Sequence, residues 1–284
     1  MPGQRQRGVA LAIVVWFLAA MSLLVAGIVS QSRVDTRMAQ AHVARAKAEA
    51  AGDGAIQLML AALESTQFKS FRGRGVPSQD FTIGDQQVSV YLYPVSGLID
   101  INGASKELLT MLFASAGNAA QASAQLLASN VVKWRSQPRA GTRELSQFRS
   151  IEDLLRVDGI TRALLEAVRG SVVVGKIKRA GVDWLSAPPS VLAVLAGDDV
   201  KKVSAMVEKR GEDFSPNKTM PRGLNPRMQS VGSGNDFRAD AIVTVGDKQW
   251  LRRRWVSVGS ATDNLLPWQY KGTEAVRGIE SGGP

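Results

Sequence analysis

The chain has 284 residues, 45% of them hydrophobic and 21% charged, a composition ordinary for a folded protein of roughly two or three domains. It contains no cysteine, which excludes thiol catalysis, cysteine-bound metal clusters and disulfides. Its net charge of +10 is compatible with binding to nucleic acid or anionic lipid. The basic residues are mostly scattered, however, and Arg252–Arg254 form the one tight run, so a generally cationic surface is favoured.

A long apolar segment begins near the N-terminus. Between Val9 and Val29 the sequence has no charged residue, and Ser22 is the one polar side chain. At about 1.5 Å per residue, a helix of this length spans roughly 30 Å, the thickness of a bilayer core. The segment therefore predicts a transmembrane helix at residues 9–29.

The flanking charges predict how this helix is oriented. Arg5 and Arg7 precede it with no acidic residue, whereas Arg33 and Arg37 after it are interleaved with Asp35. The positive-inside tendency then places the N-terminus in the cytoplasm and the bulk of the chain across the membrane. A cleaved secretory signal is the alternative, although the apolar stretch is longer than the usual signal core.

The helical pattern continues beyond the apolar segment. Small and apolar side chains recur every three or four residues over 30–64, which places them on one helical face. They are Val34, Met38, Ala41, Ala44, Ala48, Ala51, Ala55, Leu58 and Ala62. The sequence predicts one helix from about residue 9 to residue 64, whose second, amphipathic half docks on a domain or on neighbouring helices. Gly52 and Gly54 weaken this helix locally.

Short strands and capped helices follow in chain order. Phe81–Ile83 and Val88–Tyr93 flank Gly84-Asp85 and predict a hairpin. Ser105 is placed to cap a helix that runs through Leu112. The next predictions are a helix at 119–134, a capping box at Ser150 and Asp153, a turn at Asp158-Gly159 and a helix at 161–168. After these come a strand at 172–177, a helix beginning at Pro188-Pro189 and a loop at 211–235.

Two stretches resemble each other at a spacing of 83 residues. They are Gly97–Leu112 and Ala180–Leu195. Their matching positions are Asp100 with Asp183, Ala104 with Ala187, Leu109 with Leu192 and Leu112 with Leu195. The match predicts two related subdomains.

A basic leader ending in Gly8, an uninterrupted apolar helix and an amphipathic continuation resemble a type IV pilin or a type II secretion pseudopilin. The resemblance implies that a prepilin peptidase cuts between Gly8 and Val9 and methylates Val9. The family's usual glutamate at the fifth mature position corresponds to residue 13, where this chain has Ile13. Minor pseudopilin K is the class that normally lacks this acid, and the family places it at the filament tip.

The repeats also resemble minor pseudopilin K, and residues 235–245 and 250–258 resemble its closing strands, so the resemblance covers nearly the whole chain. It implies an α+β fold in which a pilin-like long N-terminal helix packs on a small antiparallel sheet. A large, mainly helical insertion similar to SAM or helix-hairpin-helix domains interrupts that sheet. The expected organisation is a leader at 1–8, a transmembrane helix at 9–29, a stalk at 30–64, a sheet region at 65–104 and 221–260, an insertion of two related subdomains at 105–220, and a flexible tail at 261–284.

The same resemblance implies a structural function and no enzymatic one. The chain is expected to initiate and cap the tip of the type II secretion pseudopilus, which exports proteins across the outer membrane. Its expected partners are other minor pseudopilins, the inner-membrane secretion platform and the prepilin peptidase. Its expected location is the inner membrane, single-pass, with the N-terminus cytoplasmic and the bulk periplasmic.

Two features keep a nucleic-acid hypothesis open. Leu155–Leu165 resembles a helix-hairpin-helix, whose glycine-rich turn brings backbone N–H groups to phosphate, so a membrane-tethered receptor for DNA uptake is the alternative function. The turn keeps one glycine, Gly159, beside the negative Asp158, which favours a structural turn. Trp250–Trp255 mixes aromatic and arginine side chains, but an edge strand guarded by charge explains the same residues and is favoured.

Signatures of catalysis and metal binding are sparse. The sole histidine, His42, lies on the predicted stalk with no second imidazole to share a metal. No Gly-x-Ser-x-Gly elbow and no P-loop occur, so no cofactor is expected, and a secreted enzyme behind a signal peptide is a third, weaker alternative. Relatives of minor pseudopilin K bind calcium, and Asp198-Asp199 or Asp236 and Asp240 offer oxygen ligands, but the sequence does not distinguish them from solvated surface.

Overall fold

The first helix is the longest element of the chain. In a computed structural model, the described residues are 6–63, 76–138, 145–175, 179–211, 228, 234–259 and 266–279. Helix α1 covers Gln6–Leu63 without interruption. The single helix predicted from about residue 9 to residue 64 is therefore confirmed, while residues 1–5 of the expected leader lie outside the described residues.

An antiparallel sheet packs against the second half of α1. Its strands are β1 (Ser78–Ile83), β2 (Gln86–Pro94), β5 (Asp236–Val245), β6 (Lys248–Val258), β7 (Trp268–Thr273) and β8 (Arg277–Ile279). Strands β1, β2, β5 and β6 lie side by side in that order, and both β7 and β8 pair with β6. The predicted hairpin around Gly84 is confirmed, because Val88, Val90 and Leu92 alternate onto the buried face of β2.

The end of the chain corrects the expected flexible tail at 261–284. Over residues 268–279 the chain forms β7 and β8, and Trp268 and Val276 are buried in the core between α1 and the sheet. The glycine-rich composition of this segment predicts a flexible tail. The hydrogen-bonding partner that orders this segment is β6, and that partner cannot be recognised from the local sequence.

A mainly helical body is inserted between β2 and β5. Its elements are β3 (Ile99–Asp100), α2 (Lys106–Ala114), α3 (Gln121–Arg135), a 3-10 helix (Ile151–Arg156), α4 (Arg162–Val168), β4 (Val172–Val173), α5 (Pro189–Ala196) and α6 (Val200–Gly211). Its core around Phe113, Trp184 and Leu192 is distinct from the core between α1 and the sheet. The predicted α+β class, with a long helix, a sheet and a helical insertion, is confirmed.

The insertion begins before the expected boundary at residue 105. Leu98, Ile99, Ile101 and Ala104 are fully buried in the helical core, because β3 pairs in parallel with β4. The strand expected at 172–177 is shorter than predicted and comprises Val172–Val173, while residues 176–178 lie outside the described residues.

The predicted caps form within the insertion. Ser105 Oγ accepts the N–H of Leu108 at 3.2 Å, and Pro189 occupies the first turn of α5. The Asp153 carboxylate accepts the N–H of Ser150 at 3.1 Å, so the capping box is present. The element that it caps is a single 3-10 helix, which is shorter than the α-helix that the pattern suggests.

The two related stretches form equivalent halves of the insertion. Asp100 Oδ1 accepts the N–H of Asn102 at 3.0 Å, and Asp183 Oδ1 accepts the N–H of Leu185 at 3.2 Å. Each aspartate thereby closes a turn that leads into a helix, α2 or α5, with its matched leucines buried. Burial raises the pKa of both carboxyl groups. Hydrogen bonds from backbone N–H groups oppose that rise at Asp100, and the hydrogen bond from the Ser186 hydroxyl opposes it first at Asp183.

The equivalence extends to a pair of arginines that the sequence comparison did not reveal. Arg135, the last residue of α3, donates to the carbonyls of Ile101 at 2.8 Å and Ala104 at 2.6 Å. Arg210, in the last turn of α6, donates to the carbonyls of Trp184 and of Ala187, the latter at 3.1 Å. The four carbonyls are matched pairs at the same spacing of 83 residues. Each half is thus a turn, a helix and a second helix whose arginine closes back on the turn.

The two halves face each other reciprocally through glycines. A Cβ on Gly97 would lie 2.3 Å from the Ser186 carbonyl oxygen, and a Cβ on Gly103 would lie 2.2 Å from the backbone nitrogen of Arg179. The start of the first repeat, at Gly97, therefore lies against the turn of the second repeat at Ser186. Conversely, the turn of the first repeat, at Gly103, lies against Arg179, which precedes the second repeat. This approach of backbone to backbone requires glycine at both positions.

Candidate functional site

The first half of α1 presents apolar side chains that nothing in the described structure covers. The large apolar residues from Leu11 to Val25 are between 48% and 76% exposed. The helix is long and apolar enough to cross a membrane, by length and composition. Ser22, the one polar side chain of residues 9–29, donates to the Leu18 carbonyl at 2.8 Å, so the hydroxyl is satisfied within the helix itself.

The predicted processing residues lie at the start of α1. Gly8 and Val9 are helical, and Ile13 is 61% exposed one turn further along. Cleavage between Gly8 and Val9, methylation of Val9 and a role for Ile13 stay predictions.

The second half of α1 docks on the sheet through small side chains. Its buried residues are Ala48, Ala51, Ala55, Ile56, Met59 and Leu60, which pack against apolar residues of β2, β5 and β6. A Cβ on Gly52 would lie 2.7 Å from Arg252 Cβ. Gly52 therefore weakens the helix in isolation and allows β6 to approach it closely in the fold.

Two acidic residues of α1 pair with the basic run on β6. Asp53 binds Arg252 in a bidentate pair, with Nε–Oδ1 at 2.7 Å and Nη2–Oδ2 at 2.9 Å, and it binds Arg254 Nη2 at 2.6 Å. Glu49 lies 3.1 Å from Arg252 Nη2. Planar bidentate pairs are directional, so they fix where α1 lies along the sheet as well as adding attraction.

The arginine run corrects the expected edge strand. Strand β6 lies inside the sheet, between β5 on one side and β7 and β8 on the other. Arg252 is 4% exposed and Arg253 is 2% exposed. Arg252 and Arg254 lie toward α1 and Arg253 lies on the opposite face, and all three are paired internally and do not guard an edge.

The opposite face of the sheet contains a buried charge cluster. Asp240, fully buried, binds Arg253 in a bidentate pair at 2.7 and 2.8 Å and lies 3.0 Å from Arg238 Nη2. Arg238 also donates to the Gly170 carbonyl in the insertion and lies over the ring of Tyr93 at 4.8 Å. Burial, opposed mainly by Asp240, lowers the pKa of Arg238, and burial raises the pKa of Tyr93 to about 12. The cluster joins the insertion to the sheet.

The expected helix-hairpin-helix is a structural turn. It consists of the 3-10 helix, a turn in which Gly159 has φ +87°, and α4. The Asn130 side chain donates to the Asp158 carbonyl at 2.9 Å, and a Cβ on Gly159 would lie 2.9 Å from Leu127. Helix α3 therefore supports the turn from one side, while Asp158 and Gly159 themselves stay exposed.

The candidate calcium ligands have structural roles. Asp198 accepts a hydrogen bond from the Ser115 hydroxyl, Asp199 accepts N–H groups at the start of α6, and Asp240 is committed to its two arginines. Asp236 is exposed at the start of β5. Within the described ranges, no group of three or more His, Asp or Glu side chains is placed to hold a metal ion.

Sequence reasoning missed Glu49 and Asp53 as the partners of the basic run. Their spacing of four residues places them together beside the buried alanine face of α1, and that spacing is a readable signal. Nothing local, however, connects residue 53 with residues 252 and 254.

Comparisons with known proteins found a similar solved structure. No family model matches the chain, and no curated protein matches it. The chain is similar to a crystal structure of the GspK-GspI-GspJ complex from the type 2 secretion system of enterotoxigenic Escherichia coli. The likeness has a TM-score of 0.47 and 14% identity, and it covers 88% of this chain and 100% of that one.

Proposed function

We propose that the chain is a minor pseudopilin of the K class, which initiates and caps the tip of a type II secretion pseudopilus. The observation that carries the proposal is the 58-residue helix α1, exposed and apolar in its first half and docked on a sheet in its second. A helix of this form anchors in the membrane before assembly and packs among neighbouring helices after it. Its partners are other minor pseudopilins, the secretion platform and the prepilin peptidase, and its location is the inner membrane with the N-terminus cytoplasmic.

Ile13 supports the position at the tip. A carboxylate in the bilayer costs about 3 kcal/mol or more unless it is paired. In a filament of this family the glutamate is paired with the amine of the subunit above, and a tip subunit has no subunit above it. The apolar Ile13 and the bulky helical insertion are both consistent with a subunit on which no other is added.

The alternative of a membrane-tethered DNA receptor loses the basic run as a candidate surface, because Arg252 and Arg253 are buried in ion pairs. At the other candidate surface the turn at Gly159 is exposed, and it presents the negative Asp158 beside that glycine. No catalytic role is proposed either.

The mature N-terminus tests the proposal directly. We expect intact-mass and peptide mass spectrometry of the membrane-extracted protein to show a chain that begins at N-methylated Val9. A Gly8→Leu variant should keep residues 1–8, because the peptidase requires the small residue at the cut. An intact N-terminus in the native chain, or cleavage near Gly27, would contradict the proposal.

The tip position predicts the outcome of Ile13→Glu. Since no subunit above supplies an amine, the added carboxylate should be neutral or harmful to secretion, and it should not improve secretion. The measurement is the fraction of exported substrate in the medium, with Ile13→Gln as the uncharged control at matched protein levels. Greater secretion by Ile13→Glu than by the native chain would exclude a subunit that ends the filament.

A further inference from the structure

Two arginines lie just beyond the apolar half of α1. Arg33 and Arg37 are four residues apart, so they share one helical face. Both are exposed, and neither has an ion-pair partner among the described residues. This contrasts with Lys47 further along α1, which pairs with Asp85 at 3.4 Å.

The two arginines continue an apolar groove along the helix. The groove is lined by Leu18, Met21, Ser22, Val25, Ala26, Arg33, Val34 and Arg37. Apolar side chains occupy the end within the predicted span and the guanidinium groups occupy the other end. The chemistry changes from hydrocarbon to cation along one line, as it does along a phospholipid from acyl chain to phosphate.

Helix geometry places the cations at the level of the headgroups. At about 1.5 Å per residue, Arg33 lies roughly 6 Å beyond Val29 and Arg37 roughly 12 Å beyond it. The headgroup layer extends roughly 5–8 Å outside a hydrocarbon core of about 30 Å, and long arginine side chains reach back toward it. Guanidinium groups bind phosphate oxygens in bidentate fashion.

We propose that this face of α1 is a binding site for an anionic phospholipid. One acyl chain lies along Leu18, Met21 and Val25, and the phosphate is held between Arg33 and Arg37. The site would fix the depth of the anchor on the far side of the membrane before the subunit leaves the bilayer. The inference rests on the proposed membrane anchor and is independent of the position at the tip.

Arg45 offers a matched control on the same helix. It is exposed and has no ion pair among the described residues, but it lies about 18 Å beyond Arg33, outside the headgroup layer. Arg45→Gln removes the same charge as Arg33→Gln or Arg37→Gln does. Comparing these variants therefore distinguishes an effect of the protein's total charge on lipid binding from an effect of where the charge lies.

The experiment is native mass spectrometry of the full chain in detergent, titrated with phosphatidylglycerol or phosphatidylcholine. We expect the native chain and Arg45→Gln to prefer phosphatidylglycerol. The single variants Arg33→Gln and Arg37→Gln, which each remove one charge as Arg45→Gln does, should each weaken that preference by about fivefold, since each basic residue near an anionic headgroup adds about 1 kcal/mol to binding. Equal binding by all four proteins, or an equal loss in Arg45→Gln, overturns the site.

Membrane insertion is measured separately by alkaline extraction of vesicles that contain the native chain. If the chain is extracted, the anchor itself fails, and the proposed function fails with it. If it resists extraction but shows no lipid preference, the lipid site alone is overturned.

Discussion

Asp240→Ala lowers the free energy of unfolding by about 3–5 kcal/mol, because it leaves two buried arginine side chains without their shared carboxylate partner. Arg238 and Arg253 are 1% and 2% exposed, and Asp240 supplies the carboxylate that both contact at 3.0 Å or less. The acid that remains beside them, Glu274, lies 3.7 Å from Arg253 and is partly exposed. The measurement is denaturant unfolding of the detergent-solubilised full chain, followed by near-UV circular dichroism.

Asp80→Ala is the control for Asp240→Ala. Asp80 lies on the outer strand β1 with its side chain exposed, so the same change there should alter stability by less than about 0.5 kcal/mol. A third variant, Arg238→Met/Asp240→Leu/Arg253→Met, removes all three charges and should recover much of the lost stability, since the desolvation cost disappears with the charges. If Asp240→Ala proves as stable as Asp80→Ala, the cluster does not join the insertion to the sheet.

Arg135→Met and Arg210→Met should each lower the free energy of unfolding by about 2–4 kcal/mol, because each leaves two backbone carbonyls without a charged donor. Methionine keeps most of the aliphatic stem, so the loss reports the guanidinium and not the packing. The two values should be similar, since the two arginines close equivalent turns. Lys133→Met, exposed in the last turn of α3, is the control and should be nearly neutral.

Hydrogen exchange shows which turn each arginine holds. Arg135→Met should speed exchange at the start of α2, and Arg210→Met should do so at the start of α5. If the two halves of the insertion are equivalent, each variant should affect the turn in its own half and leave the other turn protected. Fast exchange spread evenly over both halves in either variant would show that the arginines act on global stability and do not close individual turns.

Several elements of the fold were predictable because their causes are local. The long helix follows from an apolar stretch of membrane length and from spacing of three and four residues, which any helix containing those residues must obey. The cap at Ser105 and the capping box at Ser150 and Asp153 follow from side chains that bond to backbone groups within a few residues. The hairpin follows from Gly84, which adopts a positive φ of 61°. The anchor segment belongs to the same class, while cleavage between Gly8 and Val9 and the role of Ile13 stay predictions.

The roles of the charges were decided by the tertiary structure. The local sequence around Arg252 and Arg253 is equally compatible with an exposed basic strand. Asp53 on one face and Asp240 on the other make them buried partners instead. Arg210 could not be matched to Arg135 by spacing, because the helices that follow the two turns are connected by segments of different length.

The sequence by itself determined that Val9–Val29 is an apolar helix of membrane length and that the helix continues into a docked stalk, since both properties depend on neighbours along the chain. The tertiary structure alone decided that the basic run holds the stalk to the sheet, that residues 268–279 complete that sheet, and that the insertion is two halves closed by arginines. Each of these depends on contacts between residues far apart in sequence. A charge or a strand edge acquires its role from the group that the fold brings against it.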